Sequence, residues 1–385
     1  MGQEISKSVS DELVIGIKKD QLDAAVKREC LIILEQLLKR FGTSVASKHE
    51  SIIEDVLQCL FVDDFHVKKC AADTLGALST VAADDLVTKL VANILDSIEQ
   101  SAKATGGMVI DAHLRTLIQT IGTIARTVGH RLSKHIPRIV PLFLNCIGSY
   151  TDGEDVGDEA DKVNEIREYC FSGLECLVKC CPFEMAPYLG GGANASPNDK
   201  NVLTVSLDFI KYDPNYIGDD DDDAMDEGSG DDDEAFSDAD DDVYSEAESE
   251  EDNEDDNSWK VRRKAVGVIR AIVDAHPELH AHLYETSTDL LLRRFKERAE
   301  QVRVDVIKCF TALLDATLSR NVDDKDTSNQ DEESQSQSAI SKPTLSRQRS
   351  TVHYLLDRTA DIVSASLNQL QGSDKDIDTK GKVMD

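Results

Sequence analysis

The chain has 385 residues, 40% of them hydrophobic, which is ample for a buried core, and a formal net charge of −32. The 38 residues 219–256 hold 23 Asp and Glu and no Lys or Arg, so all but −9 of that charge lies in one segment. This balance repels phosphate backbones and attracts basic surfaces, which argues against nucleic acid as a partner and for other proteins.

No apolar run approaches the ~20 residues of a membrane span. Nine cysteines without an apolar signal segment are expected to be free thiols in a reducing compartment, cytoplasm and nucleus. At the N-terminus, MGQEIS fits the acylation pattern M-G-x-x-x-[ST], with Gly2 as acceptor and Ser6 in place. A match this short is also what an arbitrary start produces.

From residue 26 onward one nine-residue pattern, V/I-K/R-x-x-A/C/V-x-x-x-L/I/F, recurs. Its copies are Val26, Lys27, Cys30, Leu34; Val67, Lys68, Ala71, Leu75; Ile166, Arg167, Cys170, Leu174; Val261, Arg262, Ala265, Ile269; and Val302, Arg303, Val306, Phe310. Apolar residues at i, i+4 and i+8 share a helix face, and a cation always follows the first of them. Val26 to Val67 is 41 residues and Val261 to Val302 is again 41, within the ~40–47 of two-helix HEAT or armadillo repeats. The 99 residues from Val67 to Ile166 hold two repeats, with a weaker middle copy at 109–129, and the 95 from Ile166 to Val261 hold one repeat and insertions.

Marked helices are thus expected near 22–40, 66–81, 109–128, 163–180, 259–275 and 299–317, and unmarked ones near 47–61, 85–100, 133–148, 198–211, 279–296 and 349–370. With no strand signal between them, the expected fold is all-α: a HEAT/armadillo-like solenoid of about five complete helix pairs. The acid run, too densely charged to collapse, should be a disordered loop inside one repeat. Asn257 or Ser258 should cap the helix that follows it. A second disordered insertion, rich in Ser, Gln and Asp, is expected from Asn321 to about 348. The organisation is then repeats at 1–218, acid insertion at 219–256, repeats at 257–320, insertion at 321–348 and an incomplete repeat at 349–385.

The cations beside the register residues, Lys27, Lys68, Arg167, Arg262 and Arg303, are expected along one edge, near carboxylates of neighbouring repeats; simple solvated charges would look the same in sequence. Ser237, Ser245 and Ser249 each have an acid three residues on, making them candidate phosphorylation sites for acid-directed kinases.

Catalytic chemistry finds no footing. The signatures G-x-x-x-x-G-K-[ST], G-x-G-x-x-G, H-E-x-x-H and G-x-S-x-G are missing from the sequence, so no enzyme, catalytic residue or cofactor is expected. Cys170, Cys176, Cys180 and Cys181 crowd one helix without zinc spacing and read as buried small residues. His276, His280 and His282 read as surface histidines, and the pairs Asp63-Asp64 and Asp84-Asp85 as helix starts.

One ordered set of segments goes further: 212-YDPN-215, the acid run, 258-SWKVRRKA-265 and 295-FKERAEQVRVDV-306, with 167-REYCFSGLECLVKCCP-182 before them. Over roughly 20–370 it resembles the cullin-associated, neddylation-dissociated proteins. The resemblance implies a section of the N-terminal half of a long HEAT solenoid that embraces unneddylated cullins. Such a protein contacts the cullin C-terminal region and RING subunit and exchanges substrate receptors on cullin-RING ubiquitin ligases. It also implies that the adaptor-competing end lies outside this chain, as in a fragment, a truncated gene model or a split protein with a separate C-terminal half. Two other functions share these features. An acidic chaperone for basic proteins such as histones would work through the acid run, and an importin-like transport receptor would share the solenoid.

Overall fold

The computed structural model describes residues 2–18, 23–104, 112–148, 158–190, 200–212, 257–328 and 351–371. The acid run with Ser237, Ser245 and Ser249 lies outside them.

All described elements are helices. First helices are α1 (Gly2–Lys18), α3 (His49–Cys59), α5 (Asp84–Ala104), α7 (Ile136–Gly148), α10 (Val202–Ile210), α12 (His280–Arg293) and α14 (Thr351–Gln371). Second helices are α2 (Ala24–Phe41), α4 (Phe65–Val81), α6 (Ala112–Val128), α8 (Asp158–Cys180), α11 (Ser258–Ala275) and α13 (Glu300–Ser328); a single turn, α9 (Pro182–Met185), follows α8. Each second helix packs on its own first helix and on the second helices before and after it, so α2, α4, α6, α8, α11 and α13 form one row, while α14 packs on α12. One apolar cluster runs without a break from Leu13 in α1 to Leu313 in α13, the continuous core a solenoid needs because no pair can bury its faces alone.

The described residues hold six pairs and a seventh first helix, one pair more than periodicity suggests. The addition is α1. Its inward stripe is Ser6, Ser10, Leu13 and Ile17, and the two buried serines hide the helical period. At the far end α13 continues to Ser328, eight residues into the stretch expected to be disordered, and no Pro or Gly in 300–328 would stop it.

Local chemistry sets the other boundaries. Asp64 caps α4 by accepting from the Val67 amide at 2.8 Å. Asn201 and Thr204 make a reciprocal capping box on α10. The expected cap of α11 is not made: Asn257 occupies the position without a side-chain cap bond, and Ser258 is buried, accepting from Arg262 instead.

The row is close-packed where side chains are small. A Cβ on Gly122 of α6 would stand 3.0 Å from the Tyr169 carbonyl oxygen of α8, a contact so tight that the neighbouring backbone would have to give way. Buried threonines in the row return their hydroxyls to their own helix, as Thr120 does to the Thr116 carbonyl at 2.7 Å, and Thr74 also reaches the Leu31 carbonyl of α2 at 3.3 Å.

Candidate protein-interaction surface

The register cations lie in the first turns of α2, α4, α11 and α13 and ten residues into α8, and the three arginines among them donate to backbone carbonyls. Arg167 donates to the Ile147 carbonyl near the end of α7. Arg262 donates to the Tyr212 carbonyl just past α10 at 3.0 Å, and Arg303 to the Glu297 carbonyl beyond α12 at 2.7 Å. In three pairs, therefore, the second helix supplies a guanidinium to the chain at or just beyond the end of its own first helix; at Ile147, in the last turn of α7, unpaired carbonyls and the negative dipole end favour the cation. At Arg262 a neighbouring-repeat carboxylate, Glu297, is within reach as expected.

Three of the five cations, Arg167, Arg262 and Arg303, converge on the segment joints at Tyr212 and Glu297, where Arg294 joins them. Arg262 Nη1 donates to Tyr212 and to Ser258 Oγ at 2.7 Å, while Nη2 pairs with Glu297 at 3.1 Å in a site where the two side chains are 5% and 1% exposed. Arg294 takes the other Glu297 oxygen at 3.1 Å and the Lys211 carbonyl at 2.9 Å. Arg167 lies over the rings of Phe209 and Tyr212, 4.9 and 5.0 Å from their centroids. Tyr212 and Ser258 flank residues 213–257, so one guanidinium ties together the chain on either side of the acid run. Lys27 and Lys68 are elsewhere. Lys68 is half-buried, and Lys27 is buried beside Cys59, whose thiol burial pushes up to about 11 against the pull of that ammonium.

In α2 the register itself differs from expectation. Val26 is 42% exposed, and Lys27, Leu31, Leu34 and Leu38 are buried. These match Val67, Ala71, Thr74 and Leu78 of α4 at a step of 40, and of the pattern's own apolar residues only Leu34 lies on the buried stripe, Val26 being exposed and Cys30 half-buried.

All nine cysteines are free, and five are buried, but Cys180 is exposed and Cys176 half-buried, their sulfurs 3.8 Å apart. Burial pushes Cys176 up to about 12 and Cys309 likewise, which keeps those thiols protonated. His276 and His280 are buried rather than on the surface. His276 Nδ1 meets Glu278 at 2.8 Å and His280 Nε2 donates to the Val273 carbonyl, as His49 does to Gly42 seven residues back. Both latches tie the start of a first helix to the preceding second helix. Among the described residues, no group of three His, Cys, Asp or Glu is placed to hold a metal ion.

A charged groove of about 560 Å³ crosses α2, α4, α6, α8 and α11 of the row. Lys39, Lys69, Arg126, Lys179 and Lys264 line it with Glu35, Asp73 and Glu175. Burial, then Glu35, raises the Asp73 carboxyl, while Arg126 and Lys69 pull it down. Sequence reasoning missed this groove, since its residues come from five repeats and share no local pattern.

No family model matches the chain. Over 80% of its length it is 31% identical to the cullin-associated NEDD8-dissociated protein 1 of Dictyostelium discoideum and covers 23% of that protein. It is likewise 31% identical over 80% of its length to protein 2 of Mus musculus, covering 22%. Over 42% of its length it is 33% identical to the C-terminal part of protein 1 of Emericella nidulans. Among solved structures, a mutant Kap121p shares 10% identity over 99% of the chain with a TM-score of 0.48. The chain spans less than a quarter of the curated relatives it matches, and it belongs to the cullin-associated NEDD8-dissociated protein family.

Proposed function

We propose that this chain is a section of a non-enzymatic scaffold that binds a cullin along the open face of its second-helix row. In that role it regulates assembly and substrate-receptor exchange of cullin-RING (SCF-type) ubiquitin ligases, in the cytoplasm and nucleus. The observation that carries this reading is similarity over four fifths of the chain to proteins named for cullin association. An unbroken row of six second helices supports it, because a solenoid offers an extended face for a protein partner rather than a pocket for a small substrate. Within the reading, the partners are the cullin C-terminal region and its RING subunit.

Exchange belongs to the longer protein. A solenoid that grips two distant sites gains about 10²–10⁴ in effective affinity over one that grips a single site. The chain alone should therefore bind a cullin C-terminal fragment weakly and release no receptor, and a separate C-terminal half, supplied in trans, should restore release if the two associate. Pull-down with an unneddylated cullin C-terminal fragment tests the first part, and receptor release from a preformed ligase the second. Failure of the pull-down, with histones or a small GTPase captured instead, would replace this reading with the chaperone or transport one.

A further inference from the structure

The groove across the row singles itself out by charge. Each of five consecutive second helices gives it one cation, Lys39 from α2, Lys69 from α4, Arg126 from α6, Lys179 from α8 and Lys264 from α11, against three acids. A surplus of positive charge therefore sits in a chain of net charge −32. Two of the acids are already matched on their own helices, Glu35 by Lys39 and Glu175 by Lys179, each at 2.6 Å. The third, Asp73, is raised by burial, while Arg126, Lys69 and Lys39 of the groove pull it down, so five cations still stand against three acids. An acidic ligand is repelled by most of this protein and attracted here, the condition under which a groove focuses both binding and approach.

We propose that the groove docks an extended acidic peptide segment of a partner protein. The inference rests on the row face being the partner-binding surface and adds the class of segment recognised there. Packed helices lie ~10 Å apart, so five of them span ~40 Å, which an extended chain crosses in ~12 residues. With one cation per helix, acids at every third position would each meet one. Thr127 and Ser172 on the lining add hydroxyls within reach of the peptide backbone.

The test is fluorescence anisotropy of the full chain with a labelled 12-residue peptide carrying Glu at every third position, beside its Gln counterpart. The Glu peptide should bind and the Gln peptide should not. Lys39→Glu with Lys179→Glu, both exposed and outside the core, should weaken binding at least about tenfold. Lys89→Glu with Lys134→Glu, the same change of net charge on first-helix and junction surface, should leave it within about twofold. Circular dichroism checks that both variants fold. Equal losses in the two variants, or no binding, would overturn the proposal. So would binding that appears only when residues 219–256 are deleted, which would assign the groove to the chain's own acid run. Cullin pull-down on the same samples separates the two readings: capture of cullin without peptide binding sinks only the groove proposal, and peptide binding without cullin sinks the functional one.

Discussion

The joint at α10–α13 and the joint at α1–α4 are written with the same nine-residue pattern and built differently. Around α11, Arg262 holds the Tyr212 carbonyl, the Ser258 hydroxyl and a buried carboxylate at once. Around α2, Lys27 is buried against apolar residues and Lys68 stands half-exposed. The difference is the fork. A guanidinium offers five donors in fixed geometry and stays charged when buried, so it can close a joint interrupted by residues 213–256; an ammonium is a point charge on a flexible stem and suits a joint whose loop is short.

The sharpest way to break the comparison is Arg262→Ala. It leaves Glu297, 1% exposed, with only Arg294 and the Ala299 amide, and should destabilise the chain by about 3–5 kcal/mol. Chemical denaturation would read the loss. Lys68→Ala should stay within about 0.5 kcal/mol, and Arg262→Lys should recover little, since the charge returns without the fork. Equal losses from Arg262→Ala and Lys68→Ala would show that the two joints are alike after all.

Next in size is the row itself, tested at two glycines. Gly122→Val pushes side-chain carbon against the Tyr169 backbone, which must give way, and should cost about 1–3 kcal/mol. At Gly267 a Cβ would meet the Glu175 carboxylate at 2.9 Å, the mobile end of a side chain. Gly267→Ala should therefore be neutral or gain up to about 1 kcal/mol from helix propensity. Thermal melts of both variants decide whether the row is uniformly tight.

These contrasts also mark what the sequence could reveal. The alternation of helices was legible because α4, α8 and α11 each bury one apolar stripe, begun at Val67, Ile166 and Val261. The helix α1 was hidden by Ser6 and Ser10, and the register of α2 by a pattern whose Val26 and Cys30 lie off the buried stripe. The burial of His276 and His280 escaped notice because their partners are a neighbouring carboxylate and a backbone carbonyl, and backbone acceptors leave no trace in composition. The groove was out of reach for a different reason: it exists only once five repeats are stacked. A resemblance resting on 258-SWKVRRKA-265 could point to the family but could not say that Arg262 serves the joint.

A smaller effect separates the junctions by pH. His135 is buried before α7, and burial, then Arg138 and Lys134, lowers its pKa below the usual 6.5. Its ring is protonated more readily in the unfolded chain, so stability is full above pH 6.5 and declines as pH falls from there through the lowered folded value. Asp73 and Glu165 run the other way, since burial raises both. Their protonation favours the folded chain, and what they contribute is lost as pH rises through their raised values. Denaturation midpoints for His135→Asn between pH 7.5 and 5.5 should lose the acid-side decline that the parent shows.

The smallest expected effect bears on α2, where pattern and packing disagree. If the buried set is Lys27, Leu31, Leu34 and Leu38, then Val26→Ser removes little buried surface and should cost no more than about 0.5 kcal/mol. Val67→Ser, at the matching place in the pattern but fully buried, should cost about 2–3 kcal/mol from lost burial and a stranded hydroxyl. Lys27→Met keeps the stem and removes a charge that burial disfavours, so it should be neutral or gain up to about 1 kcal/mol. Arg167→Met should lose stability, because its guanidinium is bonded to Ile147 and Asn164 and stacked on two rings. The four variants form two opposed pairs, so a general change in denatured-state structure cannot mimic the pattern. If Val26→Ser proves as damaging as Val67→Ser, the step from α2 to α4 is 41 rather than 40, and Lys27 belongs with the arginines.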